Sequence, residues 1–165
     1  MEYGGNNFDV FKLNSLASEE PVTSDNVALA GHIRSTLSNN SEPLRVYRVH
    51  LLDRLYALPS RELVEEMIAM DLIDRFAWRK GSRDCDDFAF GLFGALRNIP
   101  IDSYGNLGAA IAFGTIFGTL KRSETERHAA NIVALDDGRV LCVEPQNDSF
   151  MDCGDLFTII DTLII

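Results

Sequence analysis

The feature that most constrains the fold is a hairpin in the second half of the chain. His128 to Leu135 alternates in character, the chain turns at Asp136-Asp137-Gly138, and Arg139 to Glu144 runs back. An Asp-Gly turn between two such runs is a strong short-range signal for antiparallel pairing. Loop length then decides which side chains share a face, because the side-chain period of a strand is two residues. With a three-residue loop and Gly138 in the left-handed region, Leu135 faces Arg139 and Ala130 faces Glu144. Glu144 then shares a face with His128, one diagonal step away, a separation of about 7–8 Å that two long side chains bridge. With a two-residue Asp137-Gly138 loop, Glu144 faces Asn131 instead and points away from His128.

Helical patterns precede this hairpin. Ser24 or Asp25 caps a helix through Leu37, with Leu29, Ile33 and Leu37 four residues apart. Pro59-Ser60-Arg61-Glu62 starts another, whose buried face is Leu63, Val64, Met67, Ile68 and Met70. A third begins at Asp84-Cys85, with Asp87 three residues beyond the cap and an apolar stripe of Phe88, Ala89, Leu92, Phe93 and Leu96. Asn98 and Pro100 end it. Leu44 to Leu58 favours a strand through Val46, Tyr47 and Val49, without clean alternation. Gly108 to Gly118 and Leu156 to Ile160 read as further strands. Ser38-Asn39-Asn40-Ser41-Glu42-Pro43 reads as a loop, and Gly4-Gly5-Asn6-Asn7 as part of an irregular start. Helices first and antiparallel strands afterwards predict an α+β domain with segregated layers. The apolar finish, Leu163-Ile164-Ile165, requires a buried strand or an interface.

Composition narrows the function. The chain has 165 residues, 46% hydrophobic, enough for one core. A formal charge of -10 argues against nucleic acid, whose phosphates need clustered Lys and Arg. No apolar run spans a bilayer and no signal peptide is visible, so the expected location is the cytoplasm, or outside the cell by export without a visible signal. Three widely spaced cysteines, Cys85, Cys142 and Cys153, describe neither a disulfide framework nor a thiolate zinc site.

Cys85 stands apart because it lies in the first turn of a helix, where unpaired N–H groups favour a thiolate. Cys142, inside a strand, reads as a small buried hydrophobe. Asp84, Asp86 and Asp87 oppose ionisation of Cys85. Either they only cap the helix, or a bound Ca²⁺ takes oxygen ligands from them and removes the repulsion. A cysteine nucleophile also needs a base and a group to orient it. Of the three histidines, His32 belongs to an amphipathic helix and His50 has no carboxylate pattern near it, whereas His128 opens a strand after a charged loop. The first hairpin register supplies Glu144 as the orienting group. The second would leave that role to Asn131 or abolish the triad.

Asp84-Cys85-Asp86-Asp87-Phe88-Ala89, His128-Ala129-Ala130-Asn131 and Glu144-Pro145-Gln146 resemble the papain-like protease domain of a mushroom agglutinin, the C-terminal domain of the Marasmius oreades lectin, and related bacterial and phage proteins. The first motif is also similar to that of bacterial transglutaminase-like cysteine peptidases. The resemblance implies a papain-like fold, a nucleophile helix packed on an antiparallel sheet, over residues 51–165. It implies a calcium-dependent cysteine peptidase with Cys85 as nucleophile, His128 as base and Glu144 as orienter. It further implies calcium ligands among Asp84, Asp86 and Asp87, and Trp78 as an active-site indole beside the oxyanion. The expected substrate is a protein or peptide amide. Residues 1–50 are then an extension with one helix, serving as a pro-segment, a partner-binding arm or a homodimer contact. Beside a catalytic metal site formed by the Asp cluster, His128 and Glu144 on a different fold, two other readings stay open on the same residues. One is a catalytically inactive interaction module on this scaffold. The other is a transglutaminase or amidase using the same triad.

Overall fold

The computed structural model describes residues 8–39, 44–81, 84–123 and 125–165. Gly4-Gly5-Asn6-Asn7 and Asn40 to Pro43 of the expected loop lie outside these residues. Capping chemistry starts each of the first helices. In α1, Val10–Leu16, the Asp9 carboxylate accepts from the Lys12 N–H. β1, Val22–Asp25, leads into α2, Asn26–Ser38, where Asp25 accepts from the Ala28 N–H at 2.8 Å. The ambiguous segment that follows divides in two: β2, Arg45–His50, and β3, Leu55–Leu58. Polar contacts hold the break between them. Asp53 pairs with Arg97, and the Tyr56 hydroxyl accepts from the Asp53 N–H and donates to the Ile165 carbonyl. α3, Arg61–Met70, is capped by Ser60 through the Leu63 N–H. A 3₁₀ turn at Ile73–Arg75 then precedes α4, Cys85–Arg97, with Asp84 as N-cap.

The remainder is α5, Asp102–Leu107; β4, Ala110–Ile111; β5, Phe113–Leu120; β6, Arg127–Ala134; β7, Val140–Glu144; β8, Ser149–Asp152; α6, Cys153–Leu156; and β9, Phe157–Ile164. Among the described residues six strands form the main sheet in the order β2-β9-β5-β6-β7-β8, and β1-β3-β4 form a smaller one. The apolar C-terminus is therefore a buried strand, with Leu163 and Ile165 fully covered.

The architecture corrects the expected one. A papain-like α+β domain was to carry its nucleophile helix on an antiparallel sheet, but the main sheet is mixed, because β2 runs parallel to β9. The smaller sheet is mixed too, with β4 parallel to β3. The physical reason is connectivity. β2 comes from the N-terminal half and pairs with the last strand, so hairpin logic does not set its direction.

Both faces of the main sheet are covered, so its strands read as apolar on both sides. Along β6, Ala130, Ile132 and Ala134 enter a core with Leu29, Ile33 and Leu37 of α2 and with Phe157 and Ile160. Val133 enters a second core with Phe113 and Val143, under Leu63, Val64, Met67 and Ile68 of α3 and Leu92 and Leu96 of α4. Each of the Val, Leu, Ile, Phe and Met side chains among them contributes about 1.5–3 kcal/mol by leaving water. The segment expected as an arm supplies Leu13 to the second core, α2 to the first and β2 to the sheet. β5 and β9 approach closely at Gly118, where a Cβ would stand 2.3 Å from the Ile159 carbonyl oxygen. No helix among the described residues is long and apolar enough to cross a membrane.

Candidate functional site

The hairpin takes the three-residue register. Asn131 faces Val143, Ala134 faces Val140, the Leu135 N–H donates to the Arg139 carbonyl at 2.9 Å, and Gly138 has φ +86°. In that register His128 Nε2 stands 2.7 Å from Glu144 Oε2. Their side chains are only 13% and 14% exposed, so little water competes for the contact. The chain after Glu144 is tied back onto it. The Asp148 N–H donates to the Glu144 carbonyl at 2.9 Å, and the Gln146 N–H donates to Glu144 Oε1 at 3.4 Å. Asn147 Oδ1 accepts from the backbone and hydroxyl of Ser149. Asp148 takes φ +59°, the left-handed conformation that closes the turn.

This pair opens into a cleft of about 300 Å³. Leu120 and Arg122 form one wall, Gln146 and Asn147 another, and Asp155 and Leu156 of α6 a third. Sequence reasoning found His128 and Glu144 and quoted Gln146 within a motif, but did not single out Arg122, Asn147 or Asp155. These come from two turns and from α6, with no shared local pattern, and only the order of strands in the sheet brings them together.

Cys85 is placed differently. Side chains alternate along β6, so Ala129 and Asn131 point to the face opposite His128 and Ala130. α4 packs on that opposite face, where Asn131 Nδ2 donates to the carbonyls of Ala89 and Gly114, both at 2.9 Å. Cys85, at the start of α4, lies near the Ala129 backbone, which lowers its pKa against the effect of burial. Among the described residues no hydrogen bond joins Cys85 to His128, and Cys85 does not line the cleft. Burial pushes its thiol up, and the carboxylates of Asp86 and Asp84 push it further. That is the opposite of an activated thiolate. Trp78 is 52% exposed and does not line the cleft either.

Asp84, Asp86 and Asp87 are brought together, each offering a carboxylate oxygen within 4.8 Å of the others. The Gly81 N–H donates to Asp84, and the Asp84 N–H to Asp87. A hydrogen bond between Asp84 and Asp86 holds the first carboxyl below its ordinary range and the second above it, as when two acids share one proton.

Comparison with known proteins places this geometry. The family model described as Agglutinin C-terminal matches residues 56–150, more than half of the chain. This chain belongs to the Agglutinin C-terminal family. No curated protein matches it. Among solved structures, one described as the PSL1a-E64 complex is similar at a TM-score of 0.67 and 20% identity, over 87% of this chain and 50% of that one. The Polyporus squamosus lectin, bound to the human-type influenza-binding epitope Neu5Acα2-6Galβ1-4GlcNAc, is similar at a TM-score of 0.62 and 21% identity, over 87% and 49%. The chain spans about half the length of these structures.

These matches correct the functional expectation. The agglutinin relationship stands, while the papain-like protease part of the resemblance does not. An agglutinin family and lectin structures replace the cysteine peptidase, the hydrolase class and the papain-like fold. The site agrees with the correction, since the thiol is raised and does not line the cleft.

Proposed function

We propose that this agglutinin C-terminal chain is a non-catalytic binding module, and that a saccharide is the ligand of the cleft beside His128 and Glu144. The observation that carries the reading is the lining of the cleft. Arg122 donates, Glu144 and Asp155 accept, and the amides of Gln146 and Asn147 do both. A sugar hydroxyl is likewise donor and acceptor, and Leu120 and Leu156 offer an apolar surface to ring C–H groups. Clefts of roughly 300–1,000 Å³ with a few convergent polar groups are the usual form of a small-ligand site. The lectin neighbours support the ligand class.

The test is NMR titration of the ¹⁵N-labelled chain. The first probes are Neu5Acα2-6Galβ1-4GlcNAc, its component monosaccharides and E64, the molecule present in one similar structure. Saturable shifts confined to Arg122, His128, Glu144, Gln146, Asn147 and Asp155, abolished by Gln146→Ala with Asn147→Ala, support the reading. No perturbation of the cleft by any saccharide overturns it. So does peptide hydrolysis, or covalent addition of E64, that disappears in Cys85→Ser.

We further propose that Asp84, Asp86 and Asp87 hold a calcium ion. The donor set fits, because three carboxylates supply the hard oxygens that Ca²⁺ prefers. Bound there, the cation supplies charge that lets both Asp84 and Asp86 ionise, and it steadies the first turn of α4.

A further inference from the structure

Two of the three cysteines are placed against each other, away from the cleft lining. Cys142 lies in β7 and is paired with Met151 of β8. Cys153 follows β8 directly and stands two residues beyond Met151, at the diagonal position on the same side of the strand pair. Diagonal neighbours of this kind come within reach of each other across a sheet. Both side chains are fully buried, both are free thiols, and both enter the core that also holds Cys142's neighbours Ile132 and Val140. Burial, and after it the neighbouring Cys153 thiol, push the Cys142 thiol well above its ordinary range.

We propose that Cys142 and Cys153 are a disulfide-forming pair, closed by a small-molecule disulfide such as oxidised glutathione and reopened by its thiol. Cys142 lies inside the sheet, so Cys153 reacts first, before the core closes in folding or when the corner between exposed Asp152 and Asp155 opens to uncover its buried side chain. Its thiol gives a proton to solvent, and the thiolate attacks one sulfur of glutathione disulfide, releasing one glutathione thiolate. Cys142 loses its proton and attacks Cys153 Sγ in the mixed disulfide, forming the Cys142–Cys153 bond and releasing the second glutathione. The two protein thiols are oxidised by two electrons, and one glutathione disulfide is reduced to two thiols. The bond ties α6 to β7. Asp155 and Leu156 of α6 and Gln146 and Asn147 beyond β7 all line the cleft, so the crosslink ties together the elements that carry them. Cys85 takes no part.

The test uses the full chain and does not depend on which ligand the cleft takes. The protein is refolded from denaturant in a glutathione redox buffer, and a second sample is treated with diamide while folded. Each is quenched in acid, denatured, alkylated with iodoacetamide and read by intact mass and peptide mapping. The expected result in the refolded sample is a fall from three alkylated cysteines to one, at Cys85, with a peptide joining Cys142 to Cys153. The denaturation midpoint rises on oxidation and returns with dithiothreitol, and Cys142→Ala and Cys153→Ala each lose both the crosslink and the rise. Three alkylated cysteines in both samples, or a crosslink that includes Cys85, overturns the proposal.

Discussion

Replacing Asp148 by Asn should stabilise the protein at neutral pH and leave it unchanged in acid. Asp148 closes the turn that carries Gln146 and Asn147 into the cleft, and its carboxyl is pushed up from 3.8 to about 6. Burial is the main cause, followed by the negative charges of Asp74 and Asp71 across the contact. Two pKa units correspond to about 3 kcal/mol if the group were dry. Asp148 is only half-buried, so solvent screening reduces this to about 1 kcal/mol. The sign follows from linkage. The folded state holds the proton more tightly than the unfolded state, so this group favours folding below its unfolded value. That contribution is lost as pH rises through about 6. Asn carries no charge at any of these pH values and tolerates the positive φ that Asp148 occupies. Urea unfolding of both proteins at pH 4, 5.5 and 7.5 gives the measurement. The expected gain is about 1 kcal/mol at pH 7.5, smaller at 5.5 and absent at 4. An equal gain at pH 4 and pH 7.5 would refute the electrostatic account and assign the effect to the backbone. A loss at pH 7.5 would mean that Asp148 accepts hydrogen bonds that outweigh its burial.

Two further outcomes follow from the site. Asn131→Ala should cost about 3 kcal/mol, since it removes two hydrogen bonds and leaves the buried carbonyls of Ala89 and Gly114 without that partner; the denaturant midpoint measures it, and a cost under about 1 kcal/mol would mean that α4 is held to the sheet by packing alone. Calcium at about 100 times its dissociation constant should add about 2.7 kcal/mol, a rise in Tm of roughly 5–10 °C that EGTA reverses and Asp86→Asn removes; an unchanged Tm at millimolar calcium would leave the three aspartates as helix-capping groups only.

The parts of the fold that were legible are those written in local chemistry. Asp25, Ser60 and Asp84 announce three helices because each accepts, or stands ready to accept, an otherwise unpaired N–H of the first turn. The Asp136-Asp137-Gly138 turn announces the hairpin, and its length carries the His128–Glu144 contact with it. α5 was missed because Asp102-Ser103-Tyr104-Gly105-Asn106-Leu107 contains weak helix formers. Its stability comes from Tyr104 in the second core and from Gly108 closing it at φ +63°. The division of Leu44 to Leu58 into two sheets was hidden for a different reason. β2 pairs with β9, and β3 with β1 and β4, all distant along the chain, and no local pattern encodes them.

The functional misreading has the same origin. Cys85, His128 and Glu144 occur in an order and spacing that suit a catalytic triad, and two of the three do meet. The third is decided by which face of β6 each residue takes. His128 shares its face with Ala130 and Ile132, which belong to the core of α2, whereas α4 packs on the face of Asn131 and Val133. α4, held to β6 where Asn131 donates to the Ala89 carbonyl, brings Cys85 near the Ala129 N–H, and Cys85 does not line the cleft. Adjacent residues of a strand look alike in a motif and point in opposite directions in a sheet. A one-residue difference in face therefore separates the side chains that meet at the polar cleft from those that pack against α4.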